Sequence, residues 1–446
     1  MRGRVTWSLW SVAYNRTMQS LRAWFQTASP VSLFVLALVV GVGGACGAAV
    51  FHLAIAYGVA FFYGDSGEFV TRVEALPSFV RVAIPTLGGL LVGLLLHLAR
   101  VREAEGEGVP EVMEALAVRQ GTIRPVVAPV KIVAAALTLS SGGSAGREGP
   151  VIQIGSAIGS GIAQYFGMLD RERSLLLACG AAAAIGGAFG APFAGVVFTI
   201  EILRHQPTFL RTGLITVSAL TGAGLTYLMT GQLGLRFLVE TLPDFAWWPY
   251  GVIALGVGLL CALAAVLFGL VLQAGRIIFR RLPVSSLWRP GIGGAVVGVL
   301  ALWLPYIHEP AAYPLMVDLI ALTSLPITLL LALFLGKMIA TSITLGSGGV
   351  GGIFAPSLLL GTLLGSVVGM AATSFGFIPL SAVPLIVLIS MAAVFAAAAH
   401  APITAALITY EMVGDSTLIV PLLIACFVAA YVARSLHRES IYEHGV

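Results

Sequence analysis

The chain is 446 residues long, 58% hydrophobic and only 10% charged, with a formal net charge of +4. No soluble core of this size needs that much apolar surface, so the composition excludes a water-soluble globular protein and points to a chain that crosses a membrane many times. The small positive excess speaks to orientation in the bilayer and not to nucleic-acid binding.

In chain order, Arg2, Arg4, Arg16 and Arg22 precede the first apolar run with no acid among them, which places the N-terminus in the cytoplasm. No short apolar core with a small-residue cleavage site comes first, so no cleaved signal peptide is expected. Mostly apolar runs follow at Val31–Val59, Val82–Leu98, Thr212–Met229, Tyr250–Leu272, Pro290–Leu304, Leu325–Ile343 and Leu418–Val432. Shorter apolar pieces broken by Gly and Pro lie between them, and the 53 glycines suit closely packed membrane helices and re-entrant breaks. Arg434 and Arg438 follow the last run and place the C-terminus in the cytoplasm too. Cys46, Cys179, Cys261 and Cys426 stand singly in apolar runs and are expected to pack as small hydrophobes.

Two segments repeat each other. KIVAAALTLSSGGSAGREGPVIQIGSAIG, Lys131–Gly159, returns as KMIATSITLGSGGVGGIFAPSLLLGTLLG, Lys337–Gly365, at a constant offset of 206 residues. Lys131 and Lys337 are the only lysines, and they fall opposite each other. The repeat extends upstream, where PTLGGLLVG at Pro85 matches PGIGGAVVG at Pro290, and downstream, where GAPFAGVVFTIE at Gly190 matches HAPITAALITYE at His400. Scarce letters (a lysine, three prolines, a glutamate) align in order, which chance in an Ala/Gly/Leu-rich chain does not produce. The expected organisation is a cytoplasmic segment 1–30, a first transmembrane repeat 31–230, an interfacial linker 231–249, a second repeat 250–436 and a short tail 437–446. Repeats built on Gly-broken apolar helices mark transporters, with the binding site where the breaks meet. Counting spans through broken helices does not decide between parallel and inverted halves.

Three Gly-rich breaks carry the chemistry: GEGVP at Gly106–Pro110, GREGP at Gly146–Pro150 and GGIFAP at Gly351–Pro356. Glycine lets backbone N–H groups turn inward, and proline is tolerated in a helix's first turn. The breaks therefore read as helix N-termini, whose free N–H groups and positive dipole ends attract anions. Loop turns between helices are the plainer reading of any one break alone.

GEGVPEV, GREGP, GGIFAP and the terminal tyrosine of SIYEHG together resemble the CLC family of chloride channels and proton–chloride exchangers, over nearly the whole chain from Val31 to Tyr442. The resemblance implies an all-α polytopic homodimer in the lipid bilayer, each subunit with two inverted-topology repeats of tilted and broken helices around one anion pathway. It implies transport of chloride and other small anions, coupled to protons or passive, in a bacterial inner membrane. Glu148 resembles the family's gating glutamate, which occupies an anion site when ionised and swings out when protonated. Gly146, Arg147, Glu148, Gly149, Ile353 and Phe354 look like the filter whose amides bind the anion, joined by Glu107 and Gly108 on the inner side. Tyr442 resembles the tyrosine whose hydroxyl holds the central anion. Pro150 and Tyr442 favour chloride over fluoride.

Two departures stand out. Glu107 occupies a place where family members often carry serine, proline or histidine, and an ionised carboxylate there would repel an anion. Glu107 is thus expected to be neutral, turned toward the vestibule or itself part of proton transfer. At Glu201–Ile202, exchangers commonly have two adjacent glutamates; here Ile202 replaces the internal proton acceptor, as in channel members, and Glu107, Glu111 or water is expected to take that role in an exchanger. Lys131 and Lys337 are expected either to raise the local positive potential or to snorkel. Glu411 and His400 read as packing or polar-satisfaction residues, and Asp170–Arg173 as a solvated mixed-charge loop. Neither a nucleotide loop, a Cys/His metal cluster nor a nucleophile–base set is evident, so no cofactor and no enzymatic activity are expected. With Tyr442 so near the end of the sequence, no cytoplasmic nucleotide-binding module of the kind many family members append is expected either.

Overall fold

The computed structural model describes residues 19–20, 22–65, 68–231, 247–310, 313–322 and 325–443. Most of the expected linker 231–249 and of the segment 1–30 lies outside these residues. The first half contains α1 Pro30–Tyr63, α2 Phe69–Ala75, α3 Ser78–Ala99, α4 Val109–Ala117, α5 Val127–Ser140, α6 Glu148–Phe166, α7 Asp170–Phe189, α8 Pro192–Glu201 and α9 Phe209–Thr230. The second contains α10 Trp247–Arg281, α11 Arg289–Leu300, α12 Tyr313–Ile320, α13 Ile327–Gly346, α14 Phe354–Ser374, α15 Val383–Ala399, α16 Pro402–Val413 and α17 Ile419–Leu436. Nine helices among the described residues are long and apolar enough to cross a membrane, and the chain is an integral membrane protein.

Local signals set the helix starts. The Ser29 hydroxyl accepts the Ser32 amide at 3.2 Å and Pro30 opens α1; prolines also begin α8 and α16, where their missing N–H costs nothing. Helices α7, α14 and α15 exceed the apolar runs read from the sequence. In α7 the inner face is alanine and glycine, which weaken hydropathy yet let backbones touch. Every residue of α15 is buried. Gly155 of α6 and Gly180 of α7 each leave no room for a Cβ against the other's carbonyl. Pro290–Leu304, read as a long run, holds only the 12-residue α11. Asp170–Arg173 is not a loop but the first turn of α7, with Arg173 bonded to Asp170 and to the Gln120 carbonyl.

Reciprocal contacts relate the halves. The Gly146 and Gly352 amides each donate to the other's carbonyl at 2.6 Å, and these residues are 206 apart. Val350 N donates to Thr138 Oγ1 and Ser144 N to Thr344 Oγ1, both at 3.1 Å. Gly89 packs on Pro290 and Gly294 on Pro85, while Gly93 packs on Leu287, so α3 and α11 run antiparallel. Equivalent helices meeting head to tail about one axis is inverted topology, which resolves the parity that the sequence leaves open.

Candidate functional site

The three breaks begin α4, α6 and α14, and those ends converge. A Cβ on Gly149 would strike the Glu107 carbonyl and lie 3.1 Å from Gly352 Cα. Gly108, at φ +101°, abuts the Gly149 carbonyl. These two glycines are required by close approach, and Gly108 by its backbone conformation as well. The first-turn amides of α6 and α14 have no intrahelical acceptor, so two positive helix ends face each other near the pseudo-symmetry axis. At α4 the Gly108 amide, expected among the anion donors, is already given to Glu111 Oε2 at 2.6 Å.

Glu148, the first residue of α6, is 1% exposed. Its Oε1 accepts the Tyr313 hydroxyl at 2.6 Å and lies 3.6 Å from Arg147 Nε. Its Oε2 has no hydrogen-bond partner among the described residues and lies against Gly146, as does the Ala355 amide. The Arg147 guanidinium rests over the Tyr313 ring at 4.8 Å from its centre. Ile353 and Phe354 are buried on the opposite side of the convergence, where Phe354 packs on Phe395 and Phe189 with ring centres 4.1 and 5.0 Å apart. Tyr442 is 2% exposed, and both Glu107 and Glu148 act electrostatically on its phenol.

Glu107 is buried and paired with Arg276 of α10. The pair lines a cavity of about 1050 Å³ that Glu103, Arg124, Arg280 and Arg289 also border. The cavity opens on the face where α1 begins, since the neighbouring segment 120–124 is tied to the α6 end and the α7 start, and Gln26 bonds the Phe166 carbonyl there. Arg124 bonds both oxygens of Glu103 and holds that carboxyl below its ordinary value of 4.5. The two lysines do not snorkel: both are buried, and Lys131 reaches the first glycine of the GEGVP break. Lys131 Nζ donates to the Ala104 and Gly106 carbonyls at 3.3 and 3.0 Å, and Lys337 Nζ to the Ile307 carbonyl at 3.5 Å. Each ties down the loop that leads into a short helix, α4 or α12.

Glu201 accepts the Ile403 and Thr404 amides at the α16 start, and Glu411 accepts the Phe193 and Ala194 amides at the α8 start. Both glutamates therefore cap the opposite half. Ile202 is core. Sequence reasoning missed Tyr313 and Arg276. Tyr313 follows no glycine-rich break, and Arg276 lies near the end of a long apolar helix; only the fold brings them to the two glutamates. The described residues contain no group of three or more His, Cys, Asp or Glu able to hold a metal.

Fold and site together define an integral membrane protein of inverted repeats, whose helix N-termini converge on one buried carboxylate. The family model described as Voltage gated chloride channel matches residues 88–434, and the chain belongs to that family, the CLC chloride channels and transporters. It is similar to the voltage-gated ClC-type chloride channel ClcB of Salmonella dublin, 33% identical over 386 residues that cover 86% of this chain and 91% of that one. It is also similar to ClcB of Escherichia coli, 32% identical over 411 residues, covering 92% and 97%. A slow cyanobacterial Cl-/H+ antiporter superposes with a TM-score of 0.79 at 27% identity, covering 92% of this chain and 96% of that one. A CLC-type fluoride/proton antiporter shares the fold, with a TM-score of 0.77 at 24% identity and coverage of 92% and 97%.

Proposed function

We propose that the chain exchanges chloride for protons across a bacterial inner membrane as a homodimer, with both termini cytoplasmic and Glu148 as the protonatable gate. One observation carries this reading: the Glu148 carboxyl is buried where the amides of α6 and α14 meet. Ionised, it competes with an anion for the same donors; protonated, it loses the charge that holds it there. The amides of Arg147, Glu148, Gly149, Ile353 and Phe354 supply the anion site, and Tyr442 its central hydroxyl; the Gly146 amide, expected among the donors, is already given to the Gly352 carbonyl. The arginine-lined cavity serves as the cytoplasmic vestibule and concentrates anions.

Protons need an inner acceptor. Ile202 is apolar, Glu201 is committed to the α16 amides and Glu111 accepts the Gly108 amide; Glu107, buried and joined by Arg276 to the vestibule, is the acceptor we assign. A passive chloride channel is the second reading, favoured by the absence of a carboxyl at Ile202. Purified protein in liposomes under crossed chloride and proton gradients separates the two: an exchanger reverses at a potential set by both ions, a channel at the chloride potential. In Glu148→Gln, proton coupling and the pH dependence of chloride flux should both vanish. Continued uphill proton transport by that variant removes Glu148 as the carrier.

A further inference from the structure

We infer that Tyr313 is a positioning residue for the gate: its phenol, from the second half of the chain, latches the ionised Glu148 carboxylate in place and releases it once it is protonated. The inference rests on Glu148 being the gate, and it assigns a function to a residue that no sequence motif marks.

Tyr313 opens α12 and is 4% exposed. A buried phenol needs an acceptor, and satisfying it would by itself mean little. Tyr63 shows how that need is met elsewhere: its hydroxyl takes the Ser141 backbone carbonyl at 3.0 Å, an acceptor whose strength does not change with pH. Tyr313 instead takes a titratable carboxylate at 2.6 Å. A hydrogen bond to an ionised acceptor is roughly twice as strong as one between neutral groups, so the latch is strong only in the gate's charged state. Arg147 sets the phenol's position from above, with its guanidinium on the ring.

The other groups around the carboxylate do not duplicate this role. Arg147 approaches Oε1 only to 3.6 Å. Helix α14 contributes backbone amides, and the Tyr442 phenol acts on Glu148 electrostatically with no hydrogen bond to it. His52 on α1 interacts electrostatically with Arg147. Among the described residues Tyr313 is thus the single side chain with a hydrogen at bonding distance from the carboxylate, and it ties the gate of one half to the short helix of the other.

The test is the pH profile of chloride flux in liposomes for Tyr313→Phe, which keeps the ring and its cation contact and removes only the donor. Without that donor the carboxylate takes a proton more readily. The acid-activated rise should then begin at higher pH, with its midpoint moved up by about one unit, a tenfold change in proton affinity. In the Glu148→Gln background the same substitution should leave flux unchanged at every pH. A wild-type profile in Tyr313→Phe, alongside a flat one in Glu148→Gln, overturns the latch and leaves the gate standing. A midpoint shift that persists in the Glu148→Gln background also overturns it, because Tyr313 then acts on another group. If Glu148→Gln alone keeps a sloping profile, gate and latch fall together. Should Tyr313→Phe fail to fold, 3,5-difluorotyrosine at position 313 keeps the shape and strengthens the donor: the midpoint should move down, and an unmoved midpoint refutes the inference.

Discussion

Where the first half carries Glu148, the second carries Phe354, 206 residues on. Both begin a helix after a glycine-rich break, and both are fully buried. One presents a carboxylate to Tyr313 and Arg147; the other packs its ring against Phe395 and Phe189. The scaffold is duplicated and the chemistry is not. A symmetric pair of carboxylates on the axis would repel each other and any anion between them. A single carboxylate facing an aromatic wall leaves one place from which charge can leave and return.

The short helices repeat the lesson on opposite faces. The segment entering α4 brings Glu107 to Arg276 at the arginine-lined cavity, and α12 brings Tyr313 to Glu148. Each is held by a loop that a buried lysine clamps through its carbonyls. The sharpest way to break the comparison is at Arg276. Arg276→Met leaves the Glu107 carboxylate buried without its partner, which should cost about 3–5 kcal/mol and appear as a large fall in the melting temperature of detergent-solubilised protein. Adding Glu107→Ser should restore most of that loss. In otherwise wild-type protein, Glu107→Ser should strengthen chloride binding by calorimetry, and Glu107→Gln should lower proton flux more than chloride flux. Chloride affinity unchanged by Glu107→Ser, with proton flux untouched in Glu107→Gln, makes the pair purely structural.

Much of this was legible in the sequence. The duplication, the three helix starts and Glu148 all lie in contiguous motifs, where glycine and proline leave local marks. Counting spans left the direction of the repeat open, and only the motif resemblance implied inversion; the structure shows it where Gly89 meets Pro290 and Gly294 meets Pro85. The partners of Glu107 and Glu148 were not legible, because they come from helices 169 and 165 residues away. Helix α7 was obscured for a different reason: its burial comes from small residues, which read as weakly apolar while packing most tightly.

The glutamate caps are where the halves should behave alike. Glu201 and Glu411 each accept two amides at a helix start of the opposite half, so Glu201→Ala and Glu411→Ala should each destabilise by about 1.5–3 kcal/mol. One detail breaks the symmetry. Thr404 Oγ1 also donates to Glu201, at 2.6 Å, whereas its counterpart is Ala194. Glu201→Ala should therefore cost about 1 kcal/mol more, through the orphaned buried hydroxyl, and a Thr404→Ala background should erase the difference. Equal losses in both single variants would show that the hydroxyl finds another partner.

The smallest effect is one of sign. Glu103 and Glu309 stand 206 residues apart, each in the loop before a short helix. Arg124, half exposed, bonds Glu103 and lowers its carboxyl from 4.5. Among the described residues no arginine bonds Glu309; burial pushes its carboxyl up to about 7, against the opposing pull of Lys337. A lowered carboxyl contributes stability that is present above 4.5 and lost as pH falls through its folded value. A raised one does the reverse: the folded state holds the extra proton between 4.5 and 7, and stability falls as pH rises across that window. Glu103→Gln should flatten the acid-side loss by about 1 kcal/mol or less, since water and salt reach the pair. Glu309→Gln should flatten the slope of the opposite sign between pH 5 and 7. Melting temperatures of the two variants against pH provide the check. If both slopes change in the same direction, the difference between the loops is not one of electrostatic environment, and the contrast drawn between the two halves fails at this position.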